Sequence, residues 1–155
     1  IALAMGARVL AYDVVKNSSL EAKGVSYASL EEVLRESDFI SVNLPLLPST
    51  RHLLNAERIS LVKRGAFIVN TGRGGVVDEE ELVRALREGR IAGAGLDVFE
   101  EEPPRGELLE LDNVVLSPHV GWYTDAGFAE IMRQTVENVR AFAAGKPIRV
   151  VKSAR

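Results

Sequence analysis

The chain has 155 residues, 46% of them hydrophobic and 26% charged, with a net charge of -3. That length holds one domain with a real core, the charge gives no electrostatic case for nucleic acid or an anionic membrane, and no apolar run approaches the ~20 residues of a transmembrane helix. Cys is absent, which excludes disulfides and thiolate metal sites and fits a reducing cytoplasm.

Residues 1–6 are apolar without a basic leader and read as the tail of a helix rather than a signal peptide. Residues 8–12 predict a strand ending at Asp13. Ser29-Leu30-Glu31-Glu32 fits a capping box that opens a helix. Residues 39–44 predict a second strand, stopped by Pro45. Asn55 is a cap for a helix through Val62, which Gly65 ends. Residues 66–70 predict a third strand, stopped at Gly72, and Asp78-Glu79-Glu80-Glu81 a second capping box. Residues 92–98 and 113–116 predict a fourth and a fifth strand, the last stopped by Pro118. A long helix over about 124–144 sets Phe128, Ile131, Met132, Thr135, Val139 and Phe142 at helical spacing. Residues 148–151 suit one more strand, and the polar residues 152–155 a loose end. Strands alternating with helices predict a parallel α/β sheet, and their near-continuous apolar character suits burial on both faces.

Candidate functional residues cluster just past predicted strand ends, where open α/β sheets bind ligands. Asp13 can accept bonds from adenosine ribose hydroxyls, and its charge favours NAD over NADP; it reads equally as a solvated strand-end acid. Only twelve residues precede Asp13, too few for the glycine-rich phosphate turn of such a fold. Arg73, flanked by Gly72 and Gly74, can grip a carboxylate in two parallel bonds, or it is a surface arginine in a turn. Asp97 can hold a nicotinamide carboxamide, or simply ends a turn. Glu100 and Glu101 read as a solvated acidic loop, and Arg51 and His52 as surface. His119, after Ser117-Pro118, offers an imidazole able to carry a proton near neutral pH. Two histidines and no Cys argue against a dedicated transition-metal site.

Several ordered motifs together resemble the D-isomer-specific 2-hydroxy acid dehydrogenase family: residues 44–50, 70–78, 93–103 and 112–121. The resemblance runs from Ile1 to Gly145. It implies a Rossmann-like doubly wound parallel sheet lacking its first βα unit, with residues 1–145 as a coenzyme domain and 146–155 as the start of a return to a substrate domain. It matches Arg73, Glu102 and His119 to the catalytic arginine, glutamate and histidine. It places coenzyme contacts on Asp13, Leu44, Pro45, Thr50, Thr71, Gly72, Arg73, Asp97, His119 and Gly121. Trp122 either lines the substrate pocket or packs the last helix. The implied activity is hydride transfer between NAD(H) and a small D-2-hydroxy or 2-keto acid of the glyoxylate, hydroxypyruvate, phosphoglycerate or lactate type, in a cytoplasmic homodimer. An NAD(H)-sensing, corepressor-like binding module is the alternative on the same scaffold. Formate oxidation is disfavoured by Glu102, where formate dehydrogenases of this superfamily carry Gln.

Overall fold

The computed structural model describes residues 1–151. They form two compact units, Ile1–Pro118 and a second that begins at His119.

In the first unit, β1 (Val9–Ala11) and β2 (Val25–Tyr27) pair in parallel, with the one-turn helix α1 (Ser18–Glu21) between them. A second sheet is wholly parallel, in the order β3 (Phe39–Val42), β4 (Phe67–Asn70), β5 (Gly93–Leu96) and β6 (Val114–Leu116). Parallel neighbours need crossover connections. α2 (Leu30–Glu36) leads into β3, α3 (Ala56–Leu61) links β3 to β4, and α4 (Glu79–Arg87) links β4 to β5. Ser29, Asn55 and Asp78 cap these helices as expected, accepting from the amides of Glu32, Arg58 and Glu81. Each cap contributes ~1 kcal/mol.

The core lies between these helices and the larger sheet. Leu34 of α2, Ile59 of α3 and Leu82 and Leu86 of α4 pack with Ile40, Ile68 and Leu96 of the strands. Each such side chain, fully buried, contributes ~1.5–3 kcal/mol. The expected burial on both faces holds at β5, where Gly93, Ala94 and Leu96 are buried and Gly95 half-buried, but not at β3 and β4. β3 and β4 alternate, with Ile40, Val42, Ile68 and Asn70 buried while Phe39, Ser41, Phe67 and Val69 are exposed. The core residues of all three helices belong to the cluster on one face. On the other, Phe39 and Phe67 stack on each other with ring centroids 5.4 Å apart.

Two local expectations also change, and a third takes a tighter form. α1 and β2 have no counterpart among the expected elements. The opening residues form a short 3-10 turn, Ala2–Met5, closed by Gly6 in the left-handed region. Residues 148–151 are not a strand: the Arg149 guanidinium reaches Glu137 at 2.8 Å and Asn138 at 3.1 Å, so the tail folds back on its own helix. The loose end expected at 152–155 lies outside the described residues.

The second unit is built on α5 (Asp125–Ala143), capped by Thr124, whose hydroxyl accepts from the Gly127 amide. Its polar side carries a charge ladder in which Arg133 pairs with both Glu130 and Glu137. Arg133 draws the Glu130 carboxyl down to about 2. The apolar stripe, Phe128, Ile131, Met132, Val139 and Phe142, is exposed. No helix among the described residues is long and apolar enough to cross a membrane.

Candidate active site at the carboxyl edge of the sheet

Register sets the site. Val42, Asn70, Leu96 and Leu116 lie abreast across the four strands. The chain therefore leaves the sheet on one edge at Asn43, Thr71, Asp97 and Ser117, the edge at which parallel α/β sheets bind ligands.

Asn70 shapes the arginine turn. It is only 1% exposed. Its amide nitrogen donates to the Arg73 carbonyl at 3.1 Å, and its side-chain oxygen accepts from the Gly72 amide at 3.1 Å. These bonds replace a backbone ladder with a tight turn that leaves the Arg73 side chain exposed, with one guanidinium nitrogen donating to the Gly72 carbonyl at 2.7 Å. The flanking glycines allow close approach, tight at Gly72 and sterically required at Gly74. A β-carbon on Gly72 would lie 3.1 Å from the Leu44 carbonyl oxygen, and one on Gly74 would lie 1.9 Å from the Phe99 carbonyl. The arginine turn is thus wedged between the loop after β3 and the loop after β5.

The loop after β5 carries the candidate acid. Glu102 is exposed, and the Phe99 amide donates to its carboxylate over a long 3.5 Å. Glu100, expected to be solvated, is instead held: the Glu79 amide donates to it at 3.0 Å, and its own amide donates to the Glu79 carboxylate at 3.2 Å. His52 approaches it at 3.0 Å. Burial pushes the Glu100 carboxyl up, but the Glu79 amide and the His52 ring outweigh burial and leave it below its ordinary value.

The other sequence-expected residues of the first unit lie in the segments that follow strands. Asp97 is 5% exposed and accepts from the Ser117 hydroxyl at 2.6 Å. Leu44 is half-buried and Pro45 exposed. The Thr50 hydroxyl is engaged within its own loop, donating to the Pro45 carbonyl at 2.5 Å and accepting from the Leu47 amide at 2.8 Å. It positions the 44–50 backbone. Asp13 stands exposed just past β1, accepting from the Val15 amide at 3.1 Å. Sequence reasoning missed Asn70 and Ser117. The signal for both was polarity at the last or next position of an apolar strand.

His119 and Gly121 open the second unit, within the turn that leads into α5. His119 adopts the left-handed region, with φ 55. The Trp122 indole donates to the His119 carbonyl at 2.9 Å, and its ring meets Tyr123 edge-on at 5.3 Å. Trp122 therefore braces the histidine turn.

The first unit brings the arginine turn, the acid loop and Asp97 onto one edge. The residues present fit the ends of a dinucleotide. Asp13 suits ribose hydroxyls, a buried Asp97 suits a carboxamide, and Gly72 lets backbone approach backbone. The 155 residues hold no Gly-x-Gly-x-x-Gly turn, so no phosphate cradle is assigned among them.

Residues 1–121 match the family model of the D-isomer specific 2-hydroxyacid dehydrogenase, NAD binding domain. The chain is 42% identical over 154 residues to a glycerate dehydrogenase of Methylorubrum extorquens, covering 97% of the chain and 47% of that protein. It is 45% identical over 144 residues to a glyoxylate reductase of Korarchaeum cryptofilum, covering 91% of the chain and 43% of that protein. Among solved structures, a D-lactate dehydrogenase from Aquifex aeolicus complexed with NAD and lactic acid is similar, at 44% identity with a TM-score of 0.87. That match covers 93% of the chain and 48% of the other. The chain spans about half the length of the curated relatives it matches. With the parallel sheet, the arginine turn and the acid loop in place, this chain belongs to the D-isomer specific 2-hydroxyacid dehydrogenases and matches their NAD-binding domain.

Proposed function

We propose that the protein to which this chain belongs transfers hydride reversibly between NAD(H) and a small D-2-hydroxy or 2-keto acid. The nicotinamide, when bound, supplies or takes up the hydride. Arg73 holds the substrate carboxylate through two parallel bonds and polarises the keto oxygen. His119, protonated, gives its proton to that oxygen in the reducing direction and takes it back in the oxidising one. Glu102 accepts the other ring N–H, which fixes the ring's orientation and stabilises its charged form. Asp13 and Asp97 hold the two ends of the coenzyme, with backbone contacts at Leu44, Pro45, Thr71, Gly72 and Gly121.

The observation that carries this reading is the contact between Gly74 and the Phe99–Glu100 backbone, which ties the cation-bearing turn to the acid-bearing loop. The relatives' names favour the shortest acids, so glyoxylate and hydroxypyruvate are the first substrates to test. We also assign residues 1–145 to a coenzyme domain, with the chain turning toward a substrate domain from Lys146, and the protein to a cytoplasmic homodimer.

The test is NADH oxidation with each acid. His119→Ala is expected to lower kcat by roughly 100- to 10,000-fold while NADH affinity is kept. Near-normal turnover in that variant rejects the acid–base role.

A further inference from the structure

His52 lies outside the residues assigned above. Its imidazole stands between two carboxylates from distant segments, Glu100 at 3.0 Å from Nε2 and Asp78 at 3.6 Å from Nδ1. Asp78 caps α4 directly after the arginine turn, and Glu100 lies two residues before Glu102. We propose that His52 is a positioning residue: its ring cross-links the arginine turn to the acid loop and so fixes the separation of Arg73 and Glu102. This inference rests on the role given to those two residues in the proposed function.

Four observations converge on it. The backbone of His52 adopts the left-handed region, with φ 46, which L side chains rarely occupy and which costs energy unless the surroundings impose it. What imposes it is a run of bonds to the arginine turn. The His52 amide donates to the Gly75 carbonyl at 2.8 Å, the Leu54 amide to Val76 at 3.0 Å, and the Asp78 amide to Leu54 at 3.0 Å. Next, the two carboxylates belong to one lattice, because Glu79 and Glu100 exchange backbone-to-side-chain bonds. Third, the side chains are largely shielded, His52 being 35%, Asp78 25% and Glu100 27% exposed, so the pairing is less screened than between freely exposed ions. Last, Gly74 lies against the Phe99–Glu100 backbone, so a shift of Glu100 reaches the arginine turn without slack.

The charge balance gives the ring its purpose. Asp78, Glu79 and Glu100 crowd one place, and the Arg51 charge also acts on Glu100. Nε2 lies at hydrogen-bonding distance from Glu100, while Nδ1 faces Asp78 at the longer 3.6 Å, so the ring spans the two carboxylates. The ring thus stands between the acid loop and the α4 terminus and bonds the one while facing the other. A side chain that keeps one donor keeps half of the cross-link.

The test has two arms. Amide exchange is read first, on His52→Ala, His52→Gln and the unaltered protein, without substrate. Exchange at the Glu79 and Glu100 amides is expected to quicken about tenfold in His52→Ala and less in His52→Gln, with the Leu82 amide in α4 unchanged. The second arm is turnover. His52→Ala and Glu100→Gln are each expected to lower kcat about tenfold at unchanged KM for NADH, with partial recovery in His52→Gln and no further loss in the double variant, since the two act as one unit. Unchanged exchange overturns the cross-link. Faster exchange with unchanged kcat, or a double variant whose loss is the product of the two single losses, overturns the positioning role. A protein with no turnover on any 2-keto acid sinks the proposed function instead, and the exchange arm still decides the cross-link.

Discussion

Gly74 and Phe99 touch backbone to backbone: a β-carbon on Gly74 would stand 1.9 Å from the Phe99 carbonyl carbon and oxygen and 2.6 Å from the Glu100 nitrogen. No rotamer change relieves a clash with backbone, so one of the two loops must move. Gly74→Ala is expected to destabilise the fold at the upper end of about 1–3 kcal/mol and to displace the arginine turn. Denaturant midpoints check the first effect, and loss of 2-keto acid affinity at unchanged NADH affinity checks the second. A variant that melts and binds like the parent would show that the contact is looser than the geometry requires.

Asn70 supports the same turn from below. Because it is buried and bonded on both sides of its amide, Asn70→Ala leaves the Gly72 amide and the Arg73 carbonyl without their partner. The cost of groups left unsatisfied is about 1–3 kcal/mol. Asn70→Asp keeps the acceptor but loses the donor and buries a charge, so it is expected to be the worse of the two. Thermal melts of both variants rank them, and the opposite order would contradict the assignment of donor and acceptor.

The parts of this site that sequence discloses are those whose cause is local. The apolar run into Asn70, the glycines at 72 and 74 and the cap at Asp78 each announce themselves within a few residues, and the structure puts a turn and a helix there. His52 and Glu100 read as surface because each is defined by the other, 48 positions away, and nothing near either residue points to its partner. β2 escaped notice because three residues carry no period, and its partner β1 is what holds it. The run at 148–151 failed for the converse reason. It has the composition of a strand but no strand to ladder with among the described residues, and Arg149 pairs with α5.

Ser117 and Asp97 make a second buried polar pair at the edge, 2.6 Å apart. A hydrogen bond to a charged group contributes about 1.5–3 kcal/mol, so Ser117→Ala is expected to destabilise by that order. It should also weaken NADH binding, because Asp97 loses the Ser117 bond that helps hold it in the position proposed to receive the carboxamide. Ser117→Thr, which retains the hydroxyl, should recover most of both losses. Calorimetric titration with NADH is the check, and unaltered affinity in Ser117→Ala would remove Asp97 from the coenzyme site.

Glu100 and Glu79 give the fold opposite responses to pH. The folded value of Glu100 lies below its unfolded one, because the Glu79 amide and His52 outweigh burial. Its stabilising effect is therefore complete above the unfolded carboxylate value of ~4.3 and is lost as pH falls through the folded value. Glu79 is raised by burial, with the Glu100 charge adding to it against the opposing bond from the Glu100 amide. It favours the fold most below the unfolded value and loses that advantage as pH rises through its folded value. Glu100→Gln is thus expected to flatten the acid side of the stability curve, and Glu79→Gln to flatten the side above it. Urea midpoints between about pH 3 and pH 8 separate the two. If Glu100→Gln leaves the acid slope as steep as in the parent, the Glu79 and His52 bonds do not hold that carboxylate in its charged form, and the cross-link between the two turns loses its electrostatic basis.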